Sequence, residues 1–253
     1  RSAPPVGGGG AGGGGGPGGG PPRARLEPKA GLNAFQWDLR AEPPTTLPGN
    51  ISMFGGPTTG YLVAPGKYQV RLTVGSTVET QPLEVRNDPR REIPAAEVAA
   101  RDSLARAINA RVSEINDALI RVRDVKDQVT RFMDRAKDAP NAAAIAAKGK
   151  EIGTKADTLG PKLSTKAANG QDIINFRNGM NAQYVFLLGN LEGNDVVTQP
   201  VRERFQELEK LWGALKSQVD VLELQDVQEF NKLLEAGKVE GVIVPKPKSK
   251  VVM

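Results

Sequence analysis

The sequence predicts an α+β chain, in which a small antiparallel β-module over residues 31–90 is followed by an antiparallel helical bundle over 92–237. Three observations carry this. Apolar side chains recur with a period of two between Gly31 and Arg91, the spacing of a half-buried strand. At Pro94 the spacing changes to steps of three and four, the stripe of an amphipathic helix. Several such stripes then follow one another, and none can be left in water, because each buried Leu or Val is worth about 1.5–3 kcal/mol.

Residues 1–30 contribute to neither part. Gly7 to Gly20 is glycine broken only by Ala11 and Pro17, and glycine loses most backbone entropy on ordering while bringing no side chain to bury. The stretch reads as a disordered linker. It satisfies a G-x-G-x-x-G pattern trivially, but follows no strand, opens no helix and lacks the G-K-[ST] of a phosphate loop.

Three strands are expected next. Asn33 to Arg40 alternates with Phe35, Trp37 and Leu39 on one face; Lys67 to Gly75 alternates with Tyr68, Val70, Leu72 and Val74; Val78 to Arg86 ends on Leu83 and Val85. Gly75-Ser76-Thr77 is short enough to join the last two as a hairpin. Ala41 to Pro65, rich in Pro, Gly and Thr, reads as a long loop with room for a short strand at Tyr61–Val63. Three or four strands leave an open edge, whereas a complete sandwich has about seven. The β-module therefore reads as partial.

The first helix is expected from Pro94 to about Asp138, with Leu104, Ile108, Val112, Ile115, Leu119, Val122, Val129 and Phe132 or Met133 inward, and Pro140 as its stop. A weaker helix covers about Asn141 to Thr158, with Ile145, Ile152 and Ala156 inward and Gly160-Pro161 ending it. A third runs from about Asn178 to Asn190 on Met180, Tyr184, Leu187, Leu188 and Leu191. The fourth starts near Thr198, an N-cap followed by Pro200, and carries Val201, Phe205, Leu208, Leu211, Trp212, Leu215, Val219 and Leu222. Asp226 followed by Glu229 resembles a capping box, which starts a fifth helix from Val227 to Ala236. Residues 238–253 read as a basic, flexible tail.

Charge excludes one function class. The formal +5 comes from the ends. Residues 1–29 hold Arg1, Arg23, Arg25 and Lys29 against Glu27, and 238–253 hold Lys238, Lys246, Lys248 and Lys250 against Glu240, +3 in each case. The remaining 26 basic and 27 acidic residues balance to −1. A nucleic-acid face needs clustered basic charge on the folded part, so no nucleic-acid partner is expected. With no Cys and no His, thiol nucleophiles, imidazole triads and the usual zinc sites are absent. No apolar run approaches the ~20 residues of a membrane span.

Asp38, Glu79, Glu84 and Asp88 lie in or beside the β-part and could supply a glycosidase pair, but Asp38 and Glu84 read as solvated carboxylates on polar strand faces and Asp88 as a strand end. Trp37, Tyr61 and Tyr68 offer a carbohydrate platform against the commoner role of core aromatics. Asn50-Ile-Ser52 fits the N-glycosylation pattern, and Lys246, Lys248 and Lys250 form a sparse basic patch for anionic lipid or polysaccharide. The expectation is no catalytic residue, no cofactor and no metal site.

The runs Ala30-Gly-Leu-Asn-Ala-Phe-Gln-Trp-Asp-Leu-Arg40, Val63-Ala-Pro-Gly-Lys-Tyr-Gln-Val-Arg-Leu-Thr-Val-Gly75 and Pro82-Leu-Glu-Val-Arg-Asn-Asp-Pro-Arg90 resemble the C-terminal region of bacterial sortilin-like β-propeller proteins, often labelled glycosyl hydrolases. Pro65-Gly66-x-Tyr68 also resembles the Ig-like module that caps flagellar hook-scaffold and many secreted proteins. Ile174-Asn-Phe176, Asn181 and the Asp195–Thr198 turn resemble the helical tail of the propeller family, although Arg177 stands where proline is expected. The resemblance implies an upstream propeller, a partial Ig-like module whose first strands precede this chain, and a secreted or periplasmic, cell-envelope location. It implies a non-catalytic accessory region, with any hydrolase chemistry in the propeller. The partners it suggests are that propeller and, in a second reading, a glycan or envelope polymer.

Overall fold

A computed structural model describes residues 29–47, 59–164 and 179–239. Most of the Gly-rich linker, the Asn50-Ile-Ser52 site, the Ile174-Asn-Phe176 run and the terminal lysines lie outside the described residues. The architecture is α+β, a two-stranded antiparallel hairpin followed by helices.

Strands β1 (Gly66–Val74) and β2 (Thr77–Val85) pair with Val74 opposite Thr77 and Gly66 opposite Val85. Only Gly75 and Ser76 separate them. Gly75 has φ +60° while Ser76 does not enter positive φ, the pattern of a II′ turn, whose twist suits a hairpin. The expected strand over Asn33–Arg40 does not form. Local polar bonds replace it: the Asn33 carboxamide accepts from the Lys29 backbone N–H and donates to the carbonyls of Lys29 and Gly31. Asp38 Oδ1 accepts from the Arg40 N–H, and Leu39 turns to φ +59°. Such side-chain bonds compete directly with a ladder. What remains is one bridge, Arg40 opposite Leu62, flanked by Ala41 N–H to Tyr61 O and Val63 N–H to Leu39 O, both 2.9 Å. The short strand allowed for at Tyr61–Val63 shrinks to this bridge.

The loop that follows does not stay with the hairpin. Residues 41–47 run across the helices as a strap: Thr45 N–H donates to Ser113 Oγ (3.1 Å), and Asn116 Nδ2 donates to Thr45 O (2.5 Å). Leu47 and Tyr61 are buried in the helical core, and the Arg106 guanidinium lies 5.5 Å over the Tyr61 ring.

Helix α1 (Ala95–Arg135) is about 61 Å long and buries Ala105, Ile108, Val112, Ile115, Leu119, Val122, Val125 and Val129, one stripe at steps of three and four. It ends at Arg135, before the expected Asp138. Helix α2 (Ala142–Leu163) passes through Gly160-Pro161 instead of stopping there. A proline in the last turn removes a single ladder bond, and continuing buries Leu159 and Leu163 behind Ile145, Ile152 and Ala156. Helix α3 (Met180–Glu192) packs on α1 and on α4 (Gln199–Val221). A π-turn over Leu222–Asp226 then leads without a break into α5 (Val227–Ala236), which packs on α2. Asp226 is therefore not an N-cap: it is helical, its side chain caps nothing, and its carboxylate turns to α2.

A polar link crosses the bundle. The Arg111 guanidinium on α1 grips Glu209 on α4 through two nitrogens, and the fully buried Tyr184 of α3 donates its hydroxyl to Glu209 Oε1 at 2.6 Å. Burial, followed by the Glu209 carboxylate, pushes the phenol well above its ordinary range. Tyr184→Phe keeps the ring and removes one bond to a charged acceptor. A urea titration is expected to show a loss of about 1.5–3 kcal/mol, toward the lower value because Arg111 still holds Glu209.

Candidate functional site

The feature that packing leaves unexplained is the hairpin. Its residues alternate, so Tyr68, Val70, Leu72 and Val74 share one face with Leu83 and Val85 across the register. Yet Val70, Leu72 and Val74 are 53, 51 and 65% exposed, and among the described residues neither strand packs extensively on a helix. Two-stranded hairpins are at best marginal in water by themselves, so an uncovered apolar face on one is a site in waiting.

Its root, by contrast, is built firmly. Arg40 Nη1 donates to both oxygens of Glu192 at the end of α3 (3.2 and 3.1 Å) and to Gly60 O (2.7 Å). The same carboxylate accepts the Leu62 N–H at 2.7 Å. A Cβ on Gly60 would lie 1.9 Å from the Ala41 carbonyl oxygen, so the two segments at the root meet where only glycine fits. Beyond the hairpin, Arg91 binds Asp195. Trp37 packs edge-on to Tyr68, with ring centres 5.9 Å apart and planes at 66°. Each aromatic is pinned by its polar end: Trp37 Nε1–H donates to Arg40 O (2.9 Å) and Tyr68 O–H to Ala64 O (2.5 Å). The hairpin is thus held at its base and projects from the bundle.

The acids do not assemble into a reacting pair. Glu79 and Glu84 lie five residues apart on β2, hence on opposite faces and roughly 17 Å apart along the strand. A glycosidase pair needs two carboxyls about 5–9.5 Å apart across one cleft. Glu84 binds Arg86, and Asp38 closes a local turn. Arg90, through its side chain and backbone N–H, holds the Asp88 carboxyl below its ordinary range, the direction opposite to a proton donor. The aromatics separate too. Tyr61 belongs to the bundle core, Trp212 is 2% exposed, and Trp37 and Tyr68 stand edge-to-face, so no coplanar sugar platform forms from them. Leu211, expected inward, is exposed while Trp212 points in.

Elsewhere, α2 and α4 leave an open groove of about 400 Å³ lined by Thr154, Lys155, Thr158, Leu159, Ser217, Gln218 and Val221. The one cation on its wall, Lys155, is engaged by Asp226 and Glu151. Among the described residues no group of three acids, His or Cys could hold a metal ion, and no helix is long and apolar enough to cross a membrane.

Periodicity had placed Tyr68, Val70, Leu72 and Val74 on one face, but gave no sign that the face would stay uncovered. The link from Arg40 to Glu192 spans 152 positions and has no local signature at all. Comparison with family models, with curated proteins and with solved structures finds no match to this chain.

Proposed function

We propose that this chain is a non-catalytic accessory region of a larger secreted protein, and that its hairpin docks it onto a β-rich body, in the sequence reading an upstream propeller. The observation that carries this is the exposed face of Val70, Leu72 and Val74 on a hairpin fixed rigidly at its root. A strand pair that is marginal alone gains stability when a third strand or a second sheet covers it. The partial Ig-like reading gives such a body: a module whose remaining strands lie in the neighbouring part. The separated acids support a role outside bond-making chemistry.

The test compares the 253-residue chain with the longest product of its reading frame, each as wild type and as Leu72→Asp. In the chain alone Leu72 faces water, so the substitution is expected to change the melting temperature of the bundle by no more than about 2 °C, the scale of a surface change. In the longer product, hydrogen exchange at Tyr68, Val70 and Leu72 is expected to be slowed in wild type and restored by Leu72→Asp. Equal exchange in the two wild-type proteins would refute docking. So would a concentration-dependent dimer of the chain that Leu72→Asp dissolves, because a second copy would then cover the face.

A further inference from the structure

The two edges of the hairpin are not equivalent. The two-residue turn makes Val74–Thr77 a hydrogen-bonded pair, and such pairs recur at every second position of an antiparallel ladder. Leu72–Glu79, Val70–Gln81 and Tyr68–Leu83 therefore bond within the hairpin. The intervening pairs, Thr73–Val78, Arg71–Thr80, Gln69–Pro82 and Lys67–Glu84, turn their N–H and C=O groups outward. Pro82 falls on an outward position in the middle of β2, where it costs the hairpin nothing and denies any added strand a donor. On β1 the outward groups of Lys67, Gln69, Arg71 and Thr73 are all present. Among the described residues none of them is paired with another backbone.

We infer that the outer edge of β1 accepts an extended partner segment in which apolar residues alternate with acidic ones. This rests on the docking reading above and names the partner's chemistry. The alternation follows from the two faces: an added strand lays one set of side chains beside Val70 and Leu72 and the other beside Lys67 and Arg71. Neither cation has an ion-pair partner among the described residues, since Glu84, across from Lys67, binds Arg86. Pairing across an edge is sensitive to charge directly opposite, so carboxylates suit these positions.

A second copy of the chain matches these edges less well than an acidic segment does. β1 has no acidic residue, so a second β1 offers Lys67 and Arg71 no carboxylate in any register, and in the register centred on Gln69 it sets the two cations directly opposite each other. The acidic strand, β2, presents Pro82 outward and is a poor strand to add. The partner is accordingly a different polypeptide segment.

The probe is a nine-residue peptide of alternating Val and Glu, with the Lys-for-Glu peptide as control, titrated into the isotopically labelled 253-residue chain. Binding of the Glu peptide is expected to slow amide exchange at Lys67, Gln69, Arg71 and Thr73, and the Lys peptide is expected not to bind. Lys67→Glu with Arg71→Glu should reverse that preference. Gln69→Pro blocks an outward donor of β1 and should weaken binding about tenfold or more, whereas Thr80→Pro, outward on β2, should leave it unchanged. Retained protection of the Val70 amide in both proline variants shows that the hairpin persists; if Gln69→Pro loses it, the charge reversal decides the matter. Failure of the Glu peptide to bind, equal damage from the two prolines, or outward amides already protected in the free chain would overturn the edge assignment. Docking through the apolar face is judged separately by Leu72→Asp in the longer product.

Discussion

Phe230→Ala is expected to cost the bundle about 3–5 kcal/mol, the largest loss from any single truncation considered for this chain. Phe230 is 0% exposed, and on α5 it faces Gly149 of α2, the helix that α5 packs on. Its ring fits because the facing residue is Gly149, whose ideal Cβ would sit 3.3 Å from Phe230 Cε2 and 2.2 Å from Met133 Sδ. Removing the ring leaves a hole that the rigid backbones of two helices cannot close. Met133, on the other side of Gly149, can respond in part, since it is half-buried and its thioether chain has several rotatable bonds. The loss should therefore lie toward the lower value, lowering the melting temperature by roughly 6–12 °C. Circular dichroism melts of wild type and Phe230→Ala measure it. Gly149→Ala should be tolerated better in the Phe230→Ala background than in wild type, because Met133 then has space to swing aside. A loss under about 1 kcal/mol would mean that α5 is not part of the core.

The helices were legible because their signal is local and repeated. Ile108, Val112, Ile115, Leu119 and Val122 recur at helical spacing, and all five are buried. The hairpin was legible for the same reason, but its register was not: Gly75-Ser76-Thr77 was expected as the turn, and Thr77 instead joins the strand opposite Val74, leaving a two-residue turn. The errors share another cause. Phe35, Trp37 and Leu39 alternate as a strand should, but alternation states only which residues could share a face, and a strand also needs a neighbour to pair with. With β1 and β2 satisfied by each other, the local bonds of Asn33 and Asp38 prevailed. Asp226 and Glu229 had the spacing of a capping box, yet continuing the helix cost less than breaking it, because Lys148 and Lys155 on α2 supply the carboxylate with long-range partners. The candidate site was half legible. Its apolar residues and Pro82 stand in the sequence; its exposure depends on everything that does not pack against it.

Asp226→Ala should cost about 2–3 kcal/mol, below the usual figure for breaking a buried ion pair because one partner is solvated. The Asp226 side chain is 6% exposed; Oδ1 accepts from Lys148 Nζ and Lys155 Nζ at 2.8 Å, and Oδ2 from Lys155 at 2.9 Å. Lys155 is 41% exposed and can return to water. Lys148 keeps Glu151 and Glu229, so it is not stranded. The same site fixes a pH dependence. Burial alone would raise the Asp226 carboxyl, but the two ammonium groups outweigh it and hold the carboxyl below its ordinary range. A depressed carboxyl contributes stability that is present above its unfolded value, about 3.9, and lost as pH falls through the folded one. Glu209 has the same sign, since Arg111 and Tyr184 outweigh its burial. Glu223 has the opposite sign: burial raises it despite Arg121, so its contribution is present below the unfolded value and fades as pH rises. Urea midpoints between pH 6 and 3 should therefore fall in wild type, fall less in Asp226→Asn, and fall more steeply in Glu223→Gln. Parallel slopes in all three proteins would show that neither carboxyl senses the fold, and the lysines of α2 would then be surface charges lying near α5 by chance.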